Sequence, residues 1–372
     1  MNIKRIKISG FKSIADIKLN ELTPYSVFAG ANGSGKSNFF DALQFVGAVV
    51  RFGAKLALLQ FNGYNQIHCF KHSGNKARTF KASFDVEIND KAIAYDLIIY
   101  DMDKEPKIEE HLKVNNNVLM SRKKSEPPKI KIKDKFQAIG DFFPHDASSL
   151  MFLSPIFPLY GFFSNIRVYR FDPLGAKQPD NFNANSSELD EHGHNIATML
   201  AVLEKNDAIR EQILEYMELL VPSLEKISTK KQKLNTQQTI IRFKEEGTKA
   251  YFSANLISDG TIYALCVMTA VLSRSEKVGM TLIEEPERGI HPKAISELCE
   301  LMRDKANLKH PIFVTTHSES VVRSSQADEL WLVNKIDGKT EFKNAARSSQ
   351  DLNGLNLDEA WLMNMFGGGL PW

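Results

Sequence analysis

Apolar and polar residues follow one another along the chain in patterns that predict its strands and helices. Strict alternation over 2–9 and 15–19 predicts two strands, and the apolar run YSVFA over 25–29 predicts a buried strand. The apolar residues that follow have a helical period from Ser37 to about Arg51. An antiparallel meander is predicted from three further alternating segments, 78–88, 92–101 and about 107–113.

The second half of the chain, from residue 187 onward, contains predicted helices and short apolar strands. Two helices are predicted within 187–220, and three strands follow near 224–229, 237–244 and 249–253. The remaining elements are predicted as helix 261–274, strand 279–283, helix 292–306, strand 311–315, helix 318–325 and strand 329–334. This alternation, together with that of the first 50 residues, predicts one α/β unit interrupted by a β-rich, partly helical middle.

Composition and charge narrow the class of protein. The chain has 372 residues, is 43% hydrophobic and 25% charged, and carries a formal net charge of +2, which excludes a strongly basic nucleic-acid coat. Its three cysteines, Cys69, Cys266 and Cys299, form no C-x-x-C pair, and we expect buried free thiols. We find no apolar run of 18 residues and no signal peptide, and we expect a cytoplasmic protein without a membrane span.

The segment GANGSGKS, residues 30–37, fits the pattern G-x-x-x-x-G-K-[ST] between a buried strand and a helix. Its glycines let backbone N–H groups face phosphate oxygens, Lys36 reaches the β- and γ-phosphates, and the Ser37 hydroxyl would lie on Mg²⁺. An alternative is a glycine-rich turn without a ligand. The nucleotide-binding residues predicted here are Gly30, Ala31, Asn32, Gly33, Ser34, Gly35, Lys36, Ser37 and Asn38.

Two later strand ends carry residues suited to phosphate chemistry. In the segment TLIEEPERGIHP, residues 281–292, a predicted strand ends in two adjacent carboxylates, whose side chains point to opposite sides. We assign Glu284 to Mg²⁺ and Glu285 to the attacking water. His317 follows a third buried strand, whose end opens onto the same crevice in a parallel sheet, and would contact the γ-phosphate. The predicted catalytic residues are therefore Glu285, His317 and Lys36. The alternatives are an exposed acidic turn and a structural histidine.

A second phosphate cradle is predicted in LISDGT, residues 256–261, just before a helical run. Ser258, Gly260 and the first amides of that helix would hold an anion. A simple helix N-cap at Ser258 or Asp259 is the compatible alternative.

Together these motifs resemble the ABC-class ATPases, specifically the SMC/RecF-like branch with an FKS near the N-terminus, here residues 11–13. They also resemble AAA-like bacterial ATPases with EEPE-x-G-x-HP and a C-terminal GG-x-PW, many of them from anti-phage or toxin-like operons. In that resemblance LISDGT is the signature motif, which binds the γ-phosphate of ATP held by a second copy. Two chains would then pair head to tail around two ATP molecules.

The resemblance implies further roles. Lys12 would approach the nucleotide phosphates, and the loop Arg288–His291 would cross the dimer beside Glu285. Either Gln60 or Gln66 would contact Mg²⁺, and the sequence does not choose between them. The chain departs from the pattern at Glu284, where aspartate is usual. We expect its extra methylene to favour contact through a metal-bound water.

The fold we predict is an α/β ABC-type P-loop ATPase head with an antiparallel β lobe and a helical signature lobe. Its parts would be an N-terminal ATPase half over 1–115, a middle insertion over 116–252 and a C-terminal ATPase half over 253–372. The basic stretch SRKKSEPPKIKIKDK, residues 121–135, has seven Lys or Arg against two acids and is predicted to be a loop in that insertion. It leaves nucleic acid open as a partner.

We expect an ATPase, converting ATP and water to ADP and phosphate, that acts as a switch and controls a separate effector such as a nuclease or toxin in anti-phage defence. The alternative is a RecF-like clamp of DNA repair or recombination, and a transporter subunit is the third reading. Sustained heptads are missing from the middle, and only 55 residues follow His317. We therefore expect neither long coiled-coil arms nor nuclease activity in this chain.

Overall fold

The computed structural model describes residues 1–132, 135–139, 143–154, 158–181, 184–234, 236–347 and 354–369. Three sheets organise this part of the chain. The first is an eight-stranded antiparallel sheet in the order β2-β1-β4-β5-β6-β7-β8-β9. Its strands are β1 (Asn2–Phe11), β2 (Ile14–Asn20), β4 (Phe80–Ile88), β5 (Lys91–Tyr100), β6 (Lys107–Val114), β7 (Asn117–Arg122), β8 (Lys129–Ile132) and β9 (Lys135–Ala138).

The second sheet has six strands in the order β10-β15-β16-β3-β17-β18 and is parallel except for its last pair. Its strands are β3 (Tyr25–Ala29), β10 (Ile166–Tyr169), β15 (Met280–Glu284), β16 (Ile312–Thr316), β17 (Leu330–Ile336) and β18 (Lys339–Asn344). All five residues of β3 and of β16 are buried, as expected for parallel strands covered on both faces.

A third, smaller antiparallel sheet lies in the middle region. It contains β11 (Asp180–Asn181), β12 (Leu224–Leu234), β13 (Thr236–Glu245) and β14 (Phe252–Ser253). The helices of the described residues are α1 (Lys36–Phe52), α2 (Ala54–Gln60), α3 (Tyr64–Ile67), α4 (Gly74–Ala77), α5 (Leu159–Ser164), α6 (Pro173–Ala176), α7 (Ile196–Leu203), α8 (Asp207–Leu220), α9 (Asp259–Arg274), α10 (Pro292–Lys305), α11 (Glu319–Arg323) and α12 (Leu357–Leu362). Short 3₁₀ turns cover Ser149–Leu153, Ala254–Leu256 and Ala345–Arg347.

Two apolar cores form on the opposite faces of the parallel sheet. Alternate residues of β3 divide between them, because Phe28 packs into the core with α1 and the antiparallel sheet, while Val27 packs into the core with α7, α9 and α10. Phe28 meets Phe39 of α1 at a ring-centroid distance of 5.1 Å and Phe313 of β16 at 5.5 Å. The sheet is thereby fixed between two layers, and its strand ends are held in register.

The structure confirms most of the predicted elements and corrects one in part. Residues 123–128 of the basic stretch form the predicted loop, but 121–122, 129–132 and 135 belong to β7, β8 and β9, which extend the antiparallel sheet. Arg122 is buried there, with Nη2 donating to Pro144 O at 2.7 Å, and Lys124 pairs with Asp101 at 2.8 Å. The excess of Lys and Arg and the two prolines suggested a loop, although strands at a sheet edge commonly carry lysine.

The C-terminal region adds a strand and a helix after the last predicted strand, 329–334. β18 pairs with β17, and α12 contains the buried Trp361. Gly369 N–H donates to the side chain of Asn334 on β17 at 2.6 Å, and this bond holds the glycine-rich segment against the sheet. The last three residues of GGGLPW lie outside the described residues.

Cys69, Cys266 and Cys299 are buried and free, as predicted. Among the described residues, no helix has the length and apolar character needed to cross a membrane.

Candidate nucleotide-binding site

The parallel sheet brings three separated sequence motifs to one edge. β3, β15 and β16 are adjacent and parallel, so their carboxyl ends lie side by side. The loop 30–35 follows β3, Glu284 and Glu285 end β15, and His317 follows β16. This edge of a doubly covered parallel sheet is where ligands bind in α/β proteins.

The loop over residues 30–35 has a conformation that only glycine tolerates at two positions. Gly33 and Gly35 have φ of 77° and 107°, in the left-handed region. A Cβ on Gly35 would lie 1.9 Å from the Thr340 hydroxyl of β18, and the same hydroxyl donates to Ser34 O at 2.9 Å. The β17–β18 hairpin therefore braces the loop from behind, a support that the sequence did not indicate.

Lys36 begins α1 and is only 7% exposed. Its Nζ donates to the carbonyl oxygens of Gly30 at 2.6 Å and Ala31 at 3.0 Å, which places the ammonium inside the loop. Burial lowers the pKa of Lys36, and the carboxylates of Glu285, Glu287 and Glu284 oppose that change. A buried cation with backbone acceptors on one side is ready to exchange them for phosphate oxygens.

Ser37 and Glu284 form a pair of oxygen ligands. The Ser37 hydroxyl donates to Glu284 Oε2 at 3.0 Å, across 247 residues of sequence. Neighbouring oxygens on an octahedral Mg²⁺ at roughly 2.1 Å are about 3 Å apart, so this spacing fits such an ion. Mg²⁺ in ATPase sites commonly takes one or two protein oxygens and phosphate oxygens besides. The residues present therefore fit the predicted metal.

Glu285 lies next to His317. Its Oε1 is 3.2 Å from His317 Nδ1, and its backbone N–H donates to Thr315 O at 2.9 Å. Glu285 has φ of 48°, a left-handed conformation that is strained for glutamate. The turn it makes separates the two carboxylates, so that one meets α1 and the other meets the end of β16.

Glu287 is buried beneath this turn and was not predicted. The Thr316 hydroxyl donates to its Oε1 at 2.6 Å, while Oε2 is buried and has no hydrogen-bond partner among the residues that the structure describes. Burial raises the pKa of Glu287, although the bond from Thr316 opposes the change. The bond ties the Glu285 turn to the strand that ends at His317.

Lys12 and the two candidate glutamines line a polar cavity of about 490 Å³ beside α1. Lys12 forms an ion pair with Asp41 of α1, one helical turn after Ser37. Gln60 and Gln66 both line the cavity, so the structure leaves the choice between them open. Asn38 lies on the other side of the loop and donates to Ser13 Oγ at 2.7 Å.

Sequence reasoning missed the cation at the centre of this region, Arg170. It follows β10 and forms ion pairs with Asp41, Glu191 and Glu284. The apolar alternation of IRVY in β10 could have indicated a strand of the parallel sheet, and hence a residue at its carboxyl end. Asp41 could have been found from its position four residues after Ser37, on the same face of α1.

Ser258 and Gly260 begin α9, where the second cradle was predicted. Ser258 is the N-cap, and its Oγ accepts the Thr261 N–H at 3.2 Å, so the compatible N-cap alternative is present. Gly260 packs against the loop after β15, because a Cβ there would lie 1.9 Å from Gly289 O. Gly260 thus has a packing role, and its contact with a phosphate stays a prediction.

We expect Gly260→Ala to destabilise the protein by ~1–3 kcal/mol, since the new methyl group would overlap a backbone carbonyl that cannot move aside. Gly161→Ala is the matched control, because Gly161 lies in α5 with no other heavy atom near an added Cβ. That control should be neutral or gain up to about 1 kcal/mol. Urea denaturation of both variants checks this, and equal stabilities would refute the packing role.

Comparison with known proteins identifies the family. The family model described as "AAA domain, putative AbiEii toxin, Type IV TA system" matches residues 26–323, which is most of the chain. The chain belongs to this AAA family. The match includes the phosphate loop, the Glu284–Glu287 turn and His317.

Solved structures similar to this AAA protein are SMC head domains. One, described as the SmcHead bound to the C-winged helix domain of ScpA, has a TM-score of 0.59 at 15% identity and covers 97% of this chain and 100% of that one. A Pyrococcus furiosus Smc head, bound to the C-terminal domain of ScpA, has a TM-score of 0.57 at 14% identity over 97% and 98%. The SMC head from Thermotoga maritima has a TM-score of 0.51 at 15% identity over 92% and 99%. The predicted ABC-type P-loop ATPase fold is confirmed.

Curated relatives match only a short segment. Structural maintenance of chromosomes protein 3 of Caenorhabditis elegans and urease accessory protein 2 of Cryptococcus neoformans are each 52% identical over 48 residues. The matched segment is 12% of this chain and 4% of either relative.

Proposed function

We propose that this AAA protein binds ATP with Mg²⁺ and hydrolyses it to ADP and phosphate. The observation that carries the proposal is the convergence of the loop 30–37, the Ser37–Glu284 pair and the Glu285–His317 pair at one edge of the parallel sheet. The family and the SMC-head fold support the same activity.

The residues divide the chemistry between them. Lys36 and the backbone N–H groups of the loop bind the phosphates, and Ser37 and Glu284 would hold Mg²⁺, which neutralises phosphate charge. Glu285 accepts a proton from the attacking water as general base. His317 lies beside the Glu285 carboxylate, with Nδ1 3.2 Å from its Oε1, orients that carboxylate and approaches the γ-phosphate. The Thr316–Glu287 bond keeps the two catalytic side chains at a constant separation.

We further propose that two copies pair head to tail, with Ser258 of each facing the ATP held by the other. The first N–H groups of α9 would form an anion site, because the helix dipole favours negative charge there. Tyr263 of α9 donates to Glu284 O at 2.8 Å, so the second cradle and the metal-binding strand are connected within each chain. Closure of the dimer by ATP and its release by hydrolysis would make a switch.

We expect Ser258→Arg to leave ATP binding intact and to block ATP-dependent dimerisation, because the long cation fills the cradle meant for the γ-phosphate. The test is the solution mass with and without Mg·ATP, measured in a Glu285→Gln background that slows hydrolysis. Ser258 also caps α9, so the variant loses about 1 kcal/mol for the cap.

Asn206→Arg supplies the matched control for that variant. Asn206 caps α8 by accepting the Ile209 N–H at 3.3 Å, so the substitution also replaces an N-cap with arginine. The control should dimerise with ATP like the parent protein. ATP-induced dimers of the Ser258→Arg protein would refute the shared site.

The switch would control a separate effector, such as a nuclease or toxin, in bacterial anti-phage defence. The family description names a toxin of a type IV toxin–antitoxin system, which supports that setting. Two of the similar SMC heads are described in complexes with ScpA domains, which supports a protein partner for a head of this fold. The burial of Arg122 and the pairing of Lys124 reduce the basic surface available to nucleic acid, which disfavours the DNA clamp.

A further inference from the structure

The guanidinium of Arg170 forms ion pairs with three carboxylates beside the phosphate loop. Arg170 Nη2 lies 2.5 Å from Asp41 Oδ1 and 2.8 Å from Glu284 Oε1, and Arg170 Nε donates to Glu284 Oε1 at 2.9 Å. Its third nitrogen, Nη1, pairs with Glu191. The three carboxylates come from α1, the segment before α7 and the end of β15, so a single side chain connects three separate parts of the fold.

The ion cluster needs arginine in particular. Burial alone would lower the pKa of Arg170, but the neighbouring carboxylates of Glu284, Asp41 and Glu191 have a larger, opposite effect. The pKa is therefore raised, and the guanidinium keeps its positive charge. A guanidinium offers five donors in a rigid planar fork, whereas an ammonium is a point charge with no fixed direction. Arg170 can therefore hold Glu284 through two nitrogens and still bind two other carboxylates.

This arrangement assigns one partner to each oxygen of Glu284. Oε1 accepts from Arg170, and Oε2 accepts from Ser37 at 3.0 Å. The last torsion of a glutamate side chain is broad and has no strong preference of its own. An unrestrained carboxylate would turn freely, and a metal bound through it would lose affinity.

We propose that Arg170 is a positioning residue that fixes the Glu284 carboxylate so that Oε2 faces Ser37 and the magnesium ion of the bound nucleotide. The inference rests on the proposed function, because it assumes that Ser37 and Glu284 hold that ion. Partners that orient a metal ligand commonly contribute tenfold or more to metal affinity.

A purely structural role is the competing explanation, since Arg170 also ties β10 to α1 through Asp41. That role would lower stability in the Arg170→Ala protein and leave the metal dependence of nucleotide binding unchanged. Arg167 offers a matched control three residues earlier, in β10. It is ion-paired with Glu188 and has a side-chain exposure of 22%, against 27% for Arg170. Its guanidinium donates, within the described part of the chain, to Glu188, Ser164 O and Ile166 O and not to the Ser37–Glu284 pair.

The experiment titrates Mg²⁺ against each protein in the presence of a fluorescent ATP analogue and follows binding by anisotropy. For Arg170→Ala we expect the half-saturating Mg²⁺ concentration to rise about tenfold, while analogue affinity in EDTA stays within about twofold of wild type. Arg167→Ala should match wild type in both readouts. The half-saturating Mg²⁺ concentration of Arg170→Lys should lie between those of wild type and Arg170→Ala, because lysine keeps the positive charge but lacks the planar fork of donors.

The outcomes separate the inference from the proposed function. If the wild-type protein binds no analogue at any Mg²⁺ concentration, the proposed function is refuted, and the inference is refuted with it. Mg²⁺-dependent binding by wild type, with the same Mg²⁺ titration for Arg170→Ala, would overturn the inference alone. Thermal unfolding checks that each variant is folded. Should Arg170→Ala fail to fold, the Mg²⁺ titration of Arg170→Lys decides in the same way, and an unshifted curve overturns the proposal.

Discussion

The Lys36→Ala protein is expected to lose nucleotide binding, with an affinity at least ~100-fold below wild type. The ammonium of Lys36 is buried at the start of α1 with its donors turned into the loop, where the β- and γ-phosphates would lie. Charge-assisted hydrogen bonds to phosphate contribute about 1.5–3 kcal/mol each, and alanine removes all of them. Equilibrium titration with a fluorescent ATP analogue measures the loss.

Lys244→Ala is the control for that variant. Lys244 is a partly buried, ion-paired lysine in the β12–β13 hairpin, where it contacts Glu225. The Lys244→Ala protein should bind the ATP analogue with wild-type affinity. Wild-type affinity in the Lys36→Ala protein itself, with unchanged thermal unfolding, would show that the loop 30–37 is not the phosphate site.

The Glu285→Gln protein should bind ATP normally and hydrolyse it at least ~100-fold more slowly. The amide keeps the shape of the side chain and its position beside His317, but it cannot accept the proton of the attacking water. Single-turnover release of phosphate gives the rate, and analogue titration gives the affinity. Turnover near the wild-type rate would mean that Glu285 is not the base.

Glu284→Gln distinguishes the two neighbouring carboxylates. Its side chain would still accept a bond from Ser37, but it would lose the negative charge that faces the predicted metal. We expect the Glu284 variant to need more Mg²⁺ for binding, and the Glu285 variant to keep the wild-type Mg²⁺ requirement. The opposite pattern would exchange the roles that we assign to them.

Much of the candidate site was accessible from the sequence because its residues lie next to regular elements. The phosphate loop is contiguous, and its glycines, its lysine and the helix that follows depend on local backbone geometry. Glu284, Glu285 and His317 each follow a short apolar strand, and the rule that parallel strands end at one edge placed them together. Their chemical roles stay predictions until the variants above are measured.

Other features depended on contacts between distant residues. The prediction of a loop over 121–135 was wrong for 121–122, 129–132 and 135, because these residues form strands specified by pairing within the sheet, and both prolines lie in the connection 123–128. Gly260 looked like an anion ligand from its place at the start of a helix, whereas it also packs so closely on the backbone of Gly289 that a Cβ would overlap it. A neighbour 29 residues away leaves no mark on local periodicity.

The sequence by itself determined the family's phosphate loop, the strand ends and the α/β order, since each follows from hydrophobic period and glycine placement over a few consecutive residues. Only the tertiary structure decided how the site is supported. Arg170 meets Glu284 across 114 residues, and Thr340 meets Ser34 across 306. Such contacts form only between elements that become neighbours in space. The packing of the two cores against the parallel sheet decides which elements are neighbours, and the local sequence pattern does not.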